Sequence, residues 1–302
     1  MTTTKNLHLD HPEDAILTGD LSVLDWFAAI SHTSVKLDGS PAVVYGTNPE
    51  NGKWFVGTKS VFNKQKIKIN YTSEDIITNH PQIEVRIILQ TMLDLMPRDG
   101  RIYQGDFIGF GGGSVYTPNT ITYDFGGDVQ SSLIIAPHTE YLPAYPGAPI
   151  SEHVSTPIIE TFESNDDVMF VQPTVDCKCT FYDSVESIRK SVEKSKFLSD
   201  KQAKEVRIIL NAFIREGKSI SPQLLEQIVG DWTLTQSYFQ VLDLKEQMME
   251  AMIVYDGPEA YIGEHQVLCE GFVRTNKHGS MKLVDRYQFA QANFNNAKFR
   301  SN

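Results

Sequence analysis

Cysteine is scarce in this chain: 302 residues carry three, Cys177, Cys179 and Cys269. Three thiols so unevenly placed cannot form a disulfide scaffold, and Cys-x-Cys without a second pair is no zinc site. They read as reduced thiols, which points to the cytoplasm. Long hydrophobic runs are missing, so no stretch has the length of a membrane span, and the polar start Met1 to Asp10 has no signal-peptide profile. Positive charge is in deficit: 27 Lys and Arg against 38 Asp and Glu leave a net charge of −11. Bulk charge therefore excludes a general nucleic-acid coat, and any polynucleotide must be held through a local patch. Repeats and low-complexity tracts are lacking too. The length suits one large domain or a domain with an appendage.

What is present centres on Ser34 to Gly46, read Ser-Val-Lys-Leu-Asp-Gly-Ser-Pro-Ala-Val-Val-Tyr-Gly. Lys36 lies in a short apolar stretch, a Gly-Ser-Pro turn follows, and Ala42 to Tyr45 reads as a buried strand. A lysine becomes a nucleophile only when desolvation or a neighbouring cation lowers its pKa. In Lys-x-Asp-Gly, Lys36 would attack, Asp38 would orient a partner, and Gly39 would turn the backbone tightly beside a phosphate. Four residues are also few enough to be a turn with a solvated lysine.

Asn51-Gly52 marks a hairpin whose return strand, Lys53 to Gly57, delivers Lys59 to the same sheet. The cationic run Lys59, Lys64, Lys66, Lys68 contains no acid and calls for an anionic partner or full solvation. A helix is expected over Leu21 to Ile30 and another, with a broad apolar face, over Pro81 to Met96. Strands are expected at Arg101 to Ile108, Asn119 to Phe125, Ser132 to Ala136, Val168 to Val175 and Gln266 to Arg274, and a short one carrying Lys282 over Gly279 to Arg286. Tyr141 to Thr161, rich in Pro, Ser and Gly, reads as a surface loop. Asp106 and Glu270 are acids embedded among apolar neighbours, a costly placement unless each meets a cation, a hydroxyl or a metal. Phe110-Gly-Gly-Gly-Ser114 lacks the Gly-Lys-Ser/Thr of a phosphate loop and reads as a connection. His8 and His11 with Glu13 and Asp14 fit a capped turn better than a metal cluster. From Asp183 to about Ile253 the period turns helical, and between Arg189 and Lys218 nine Lys or Arg face four acids, a candidate patch for a phosphodiester backbone.

The ordered set Lys36-x-Asp38-Gly39, Lys59, Gly105-Asp106-Phe107, Tyr123, Glu270-Gly271-Phe272-Val273 and Met281-Lys282-Leu283 resembles the motif series of the covalent nucleotidyltransferases: DNA ligases, RNA ligases and mRNA-capping enzymes. It is also similar to ligase-like proteins of tailed phages. The resemblance implies an α+β nucleotidyltransferase fold with antiparallel sheets; with the change of period, residues 1–182 and 254–302 are expected to form its core and 183–253 a helical insertion or subdomain. It implies an ATP-dependent polynucleotide ligase with Mg²⁺ or Mn²⁺, acting in the host cytoplasm, in nucleic acid repair, through a lysyl-AMP on Lys36. Lys59 would touch ribose or phosphate, and Asp106 and Glu270 would stand near the metal. Tyr123 would stack on the base, and Lys282 would bind the α-phosphate. Lys-Leu-Asp-Gly-Ser-Pro lacks the arginine that often follows this glycine in DNA ligases, which favours RNA as partner. About twenty residues follow the last motif, too few for an appended oligonucleotide-binding barrel. Asp replaces the usual Glu at 106, Val35 stands where many relatives carry an acid, and Val284 stands where many carry a second lysine, with Arg286 or Lys277 as possible substitutes. Two other readings stay open: an enzyme that adenylylates a protein or small molecule without sealing strands, and a non-catalytic, nucleotide-binding structural protein.

Overall fold

The structure is a computed structural model describing residues 9–63, 65–177 and 181–289. His8, Lys64, Cys179 and the tail beyond Phe289 lie outside the described residues. In chain order come α1 (Pro12–Ala15), α2 (Ser22–Ala28), β1 (His32–Lys36), β2 (Ala42–Thr47), β3 (Trp54–Thr58), α3 (Ser73–Asn79) and α4 (Ile83–Leu95). There follow β4 (Ile102–Phe110), β5 (Val115–Tyr116), β6 (Thr122–Asp124), β7 (Leu133–Pro143), β8 (His153–Pro157), β9 (Val168–Phe170) and β10 (Thr174–Cys177). The helices α5 (Tyr182–Val192), α6 (Asp200–Arg215), α7 (Pro222–Val229) and α8 (Trp232–Glu250) precede β11 (Met252–Tyr255), β12 (Glu259–Ile262), β13 (His265–Val267), β14 (Gly271–Asn276) and β15 (Gly279–Val284). The chain is α+β, and its strands pair antiparallel except β7 with β9. No helix among the described residues is long and apolar enough to cross a membrane.

The chain divides into two compact units. The first contains 37–173 and 256–267 and carries a six-stranded sheet, β3-β2-β4-β7-β8 with β9 beside β7, and a four-stranded one, β13-β12-β6-β5. The run Ala42 to Tyr45 is continuously apolar because both faces of β2 are covered. Val43 and Tyr45 meet Leu89 and Met92 of α4 on one face, and Val44 packs with Phe55, Ile102 and Tyr141 on the other. The face α4 buries is narrower than expected, since Ile83 and Ile87 are exposed. Asn51-Gly52 turns the β2–β3 hairpin with Gly52 at φ +69°. The stretch Tyr141 to Thr161, expected to be a loop, holds the end of β7 and all of β8. Pro and Ser conceal a strand there because an eleven-residue β7 offers a long edge to pair with.

The second unit contains 9–36, 174–255 and 268–289 of the described residues, so the four long helices share a core with the N-terminal segment and with β1, β14 and β15. Serine caps open two of these helices: Ser199 forms a capping box with Gln202, and Ser221 accepts the Leu224 amide ahead of Pro222. Val35, Phe272, Met281 and Leu283 line the inner face of the β1-β14-β15 sheet against Trp26, Phe27 and the helices. Ile30, expected on the apolar face of the helix around residue 24, is fully exposed, because that helix ends at Ala28.

Candidate functional site

Lys36 closes β1, where the register sets it opposite Gly271 of β14, itself opposite Val284 of β15. Directly opposed residues share a face and faces alternate along a strand. Lys36 and Val284 therefore share a face with Ser34, Val273 and Lys282, opposite the face that Val35, Phe272 and Leu283 bury. Glu270, just before β14, brings Oε2 against the Lys36 ammonium, with the two side chains 34 % and 15 % exposed. Lys282 lies below the ordinary lysine value, first because it is buried and then because Arg286 and Lys36 add positive charge. Gly271 makes this possible: its φ is +152°, and a Cβ there would come within 2.2 Å of the Leu283 carbonyl oxygen. Beside it, burial pushes the Cys269 thiol up to about 12, and its Sγ donates to the Gly271 carbonyl, so this cysteine stays an unreactive thiol.

The remaining predicted residues belong to the first unit. Asp38 is a tie: its Oδ1 accepts from Asn119 Nδ2 at 2.9 Å and its Oδ2 from the Thr120 amide at 3.0 Å. Its own amide donates to the Tyr123 hydroxyl at 2.5 Å. Tyr123, expected to stack on a base, is 1 % exposed, so its ring has no open face and it serves to hold this turn. Gly39 lies flush on β4, where a Cβ would meet Asp106 Cβ at 2.6 Å and the Phe107 carbonyl oxygen at 2.7 Å, and the Ser40 amide donates to that same oxygen. Its small size serves strand packing. Asp106 stands opposite Ala42 on β4, and His138 Nε2 comes to 3.8 Å from its Oδ2. Gln104 Nε2 lies 3.4 Å from the same ring nitrogen, and the Tyr141 hydroxyl donates to Gln104 Oε1. Sequence reasoning missed His138 as part of this polar row, because only the bulged β4–β7 register brings it there. Lys59 is exposed just after β3. In the same cationic run, Lys68 Nζ donates to the Asn79 carbonyl at the end of α3, which accounts for one charge without any ligand.

A second cluster in the second unit was not foreseen. Lys245 Nζ donates to Glu13 Oε1 at 2.8 Å and to the Val284 carbonyl at 3.3 Å. Arg286 Nη1 donates to Asp14 Oδ1 at 3.0 Å and Glu13 Oε1 at 3.3 Å, and Nη2 to Asn211 at 2.7 Å. Arg286 is thereby spent on structure, and Lys277 sits at the far end of the β14–β15 hairpin from Val284, so neither replaces a second lysine. The basic stretch of α5 and α6 is partly neutralised as well: Arg189 pairs with Asp25, Arg207 with Asp10 and Lys218 with Glu216.

The chain matches, over residues 6–233 and 223–298, a family described as a family of unknown function, DUF6267. It belongs to that family. No curated protein and no solved structure matches it. The DUF6267 match runs through the helices of 182–250 as well as through both strand-rich parts, and it attaches no activity to any of them. Chemistry must come from the side chains: an ion-paired lysine and a second, charge-crowded lysine on one sheet face.

Proposed function

We propose that this chain is a covalent nucleotidyltransferase with the ligase adenylation fold, which loads AMP from ATP onto Lys36 and passes it to a polynucleotide, RNA before DNA. One observation carries the reading: Lys36 and Lys282 share a sheet face and Glu270 lies against the Lys36 ammonium, the three residues to which the motif series gives attack, acid and phosphate contact. The α+β architecture with antiparallel sheets supports it. Nζ of Lys36 gives one proton to the Glu270 carboxylate and uses the freed lone pair to form a P–N bond to the α-phosphorus, and the second proton that the nitrogen must shed goes to the departing pyrophosphate or to solvent. The bond to the bridging oxygen breaks, and pyrophosphate leaves with that electron pair. An arriving phosphate also offsets the crowding of Lys282 by Arg286 and Lys36, which makes this face receptive to an anion.

A divalent cation, when bound, neutralises the leaving pyrophosphate. Among the described residues no group of three or more His, Cys, Asp or Glu is arranged to hold a metal. A carboxylate beside Lys36 suits Mg²⁺ or Mn²⁺ taken up with the nucleotide, and Glu270 is the residue of that face that would hold it. The part of Asp106 and Lys59 in the reaction is tested by substituting each alone. Transfer to a protein or small molecule in place of strand sealing is the second reading, favoured by Val284 and by the engagement of Arg286 with Glu13 and Asp14.

Incubation with α-labelled ATP and Mg²⁺ followed by a denaturing gel tests the proposal. Label on the wild type that disappears in Lys36→Ala is expected. Label surviving Lys36→Ala removes the nucleophile, and an unlabelled wild type leaves a non-catalytic binder. Joining assays on nicked RNA, nicked DNA and single strands then separate sealing from the second reading.

A further inference from the structure

Not every cation of α5 and α6 is answered by an acid. Between residues 190 and 204 the chain carries five lysines, Lys190, Lys194, Lys196, Lys201 and Lys204, against Glu193 and Asp200. All five are exposed, and among the described residues none of them forms an ion pair. In a protein of net charge −11 this stretch is locally positive, which makes it a surface for a polyanion.

Charge alone would describe a solvated face; two aromatic rings make this one specific. The linker from α5 to α6 is tied down twice: the Lys196 amide donates to Asp231 Oδ2 at 3.2 Å, and the Leu198 amide to the Leu17 carbonyl at 2.9 Å. Between these anchors Phe197 is seated on Gly19, whose φ is +78° and where an added Cβ would come within 2.8 Å of the ring's Cγ and Cδ2. The ring is held against backbone and is still 39 % exposed. Asp231 also caps α8, its Oδ1 accepting the Leu234 amide at 2.7 Å, and the next residue is Trp232, 42 % exposed. One hydrogen bond therefore joins the residues that precede the two rings. Neither ring takes part in the core of this unit, and neither meets another ring or a cation among the described residues. Held aromatics beside unanswered lysines suit an unpaired strand: the ammonium groups take its phosphates, and every base offers a π-face to stack on. A duplex keeps those faces inside its own stack and offers phosphates alone.

We propose that the α5–α6 linker and the start of α8 form a binding surface for a single-stranded polynucleotide, its phosphates at Lys194, Lys196, Lys201 and Lys204 and its bases on Phe197 and Trp232. The surface takes its purpose from the nucleotidyl-transfer reading, whose polynucleotide it would hold, but its binding is measured without ATP. Fluorescence anisotropy of the full chain with a labelled oligouridylate of about 20 nucleotides tests it, beside the same strand in a duplex and with polyglutamate as competitor. Saturable binding that favours the single strand is expected. In Lys196→Gln/Lys201→Gln/Lys204→Gln affinity should fall by about tenfold or more, and the slope of log affinity against log salt should flatten by about 2. Trp232→Ala and Phe197→Ala should each weaken binding by about fivefold or more. The three lysines are exposed and unpaired among the described residues, so the triple variant should fold as the wild type does. Absent binding, equal affinity for the duplex, displacement by polyglutamate at matched charge, or unchanged affinity in the triple variant would each overturn the proposal. A wild type that binds oligouridylate but takes no label from ATP keeps this surface and loses the transfer; one that takes label but binds no strand loses this surface alone.

Discussion

Two lysine–glutamate pairs in the same unit differ in surroundings, and the difference separates structure from chemistry. Lys245 and Glu13 are sealed in the interior with Arg286 and Asp14, almost every polar atom satisfied by a neighbour. Lys36 and Glu270 sit at a sheet margin, partly open to solvent, with Lys282 on the same face. A buried charge deprived of its partner is expensive, whereas a pair partly open to solvent adds less to stability. The interior pair is therefore committed to holding the fold, and the marginal pair is free to be broken in the reaction proposed above.

The sharpest way to break this contrast is Glu13→Ala. It strands the Lys245 ammonium, which is 1 % exposed, with only the Val284 carbonyl, and urea denaturation should show a loss of about 3–5 kcal/mol. Glu13→Leu combined with Lys245→Met should regain much of it, because a neutral interior removes the desolvation cost as well as the attraction. A double variant no better than Glu13→Ala would mean that the wider network with Asp14 and Arg286 carries the stability.

Gly271→Ala comes next, since it attacks the frame of the marginal pair. At φ +152°, with the Leu283 carbonyl in the space of the new methyl, β14 must move away from β15. Strain and overpacking together should cost roughly 2–4 kcal/mol in the same assay. Labelling should fall with it, because Glu270 is the preceding residue.

His11 probes the interior cluster by pH. Burial, with Arg286, Lys245 and Lys282 nearby, holds its imidazole far below the ordinary 6.5. The unfolded chain therefore takes up a proton below pH 6.5 that the folded chain refuses, and stability is full above that pH and lost as it falls. One proton gives a slope of about 1.4 kcal/mol per pH unit. His11→Asn should remove that slope between pH 6 and 5, read as the difference between variant and wild type in urea midpoints across pH. Asp14, whose carboxyl burial raises above 3.8, acts in the opposite sense and is common to both proteins.

How far the sequence discloses these regions follows from what each needs. The β2–β3 hairpin and the capped helices are legible because their signals are local: Asn51-Gly52, Ser199 with Gln202, Ser221-Pro222. Two expected strands, Val168 to Val175 and Gln266 to Arg274, each cross from one unit to the other. Their apolar pattern runs on while the pairing partner changes, at Pro173 and again after Val267. Lys36, Glu270 and Lys282 can be picked from motif order, but their common face depends on register. Tyr123 misleads because an aromatic on a strand looks the same whether its ring is open or buried. Lys245 was readable in principle: Leu234, Tyr238, Val241 and Met248 recur with it at helical spacing, and a lysine on such a stripe requires a buried acid. Finding Glu13 as that acid needs the tertiary contact.

The smallest expected effect on stability is the most informative about chemistry. Lys36→Ala removes one member of a pair that is 34 % and 15 % exposed, so unfolding should shift by no more than about 1 kcal/mol, while labelling from α-labelled ATP is lost entirely. A large destabilisation would place Lys36 with Lys245 as a structural cation and dissolve the contrast between the two pairs. A stable, folded variant without label leaves the amine itself as what the reaction lacks, since Glu270 and Lys282 keep their places beside β14 and on β15.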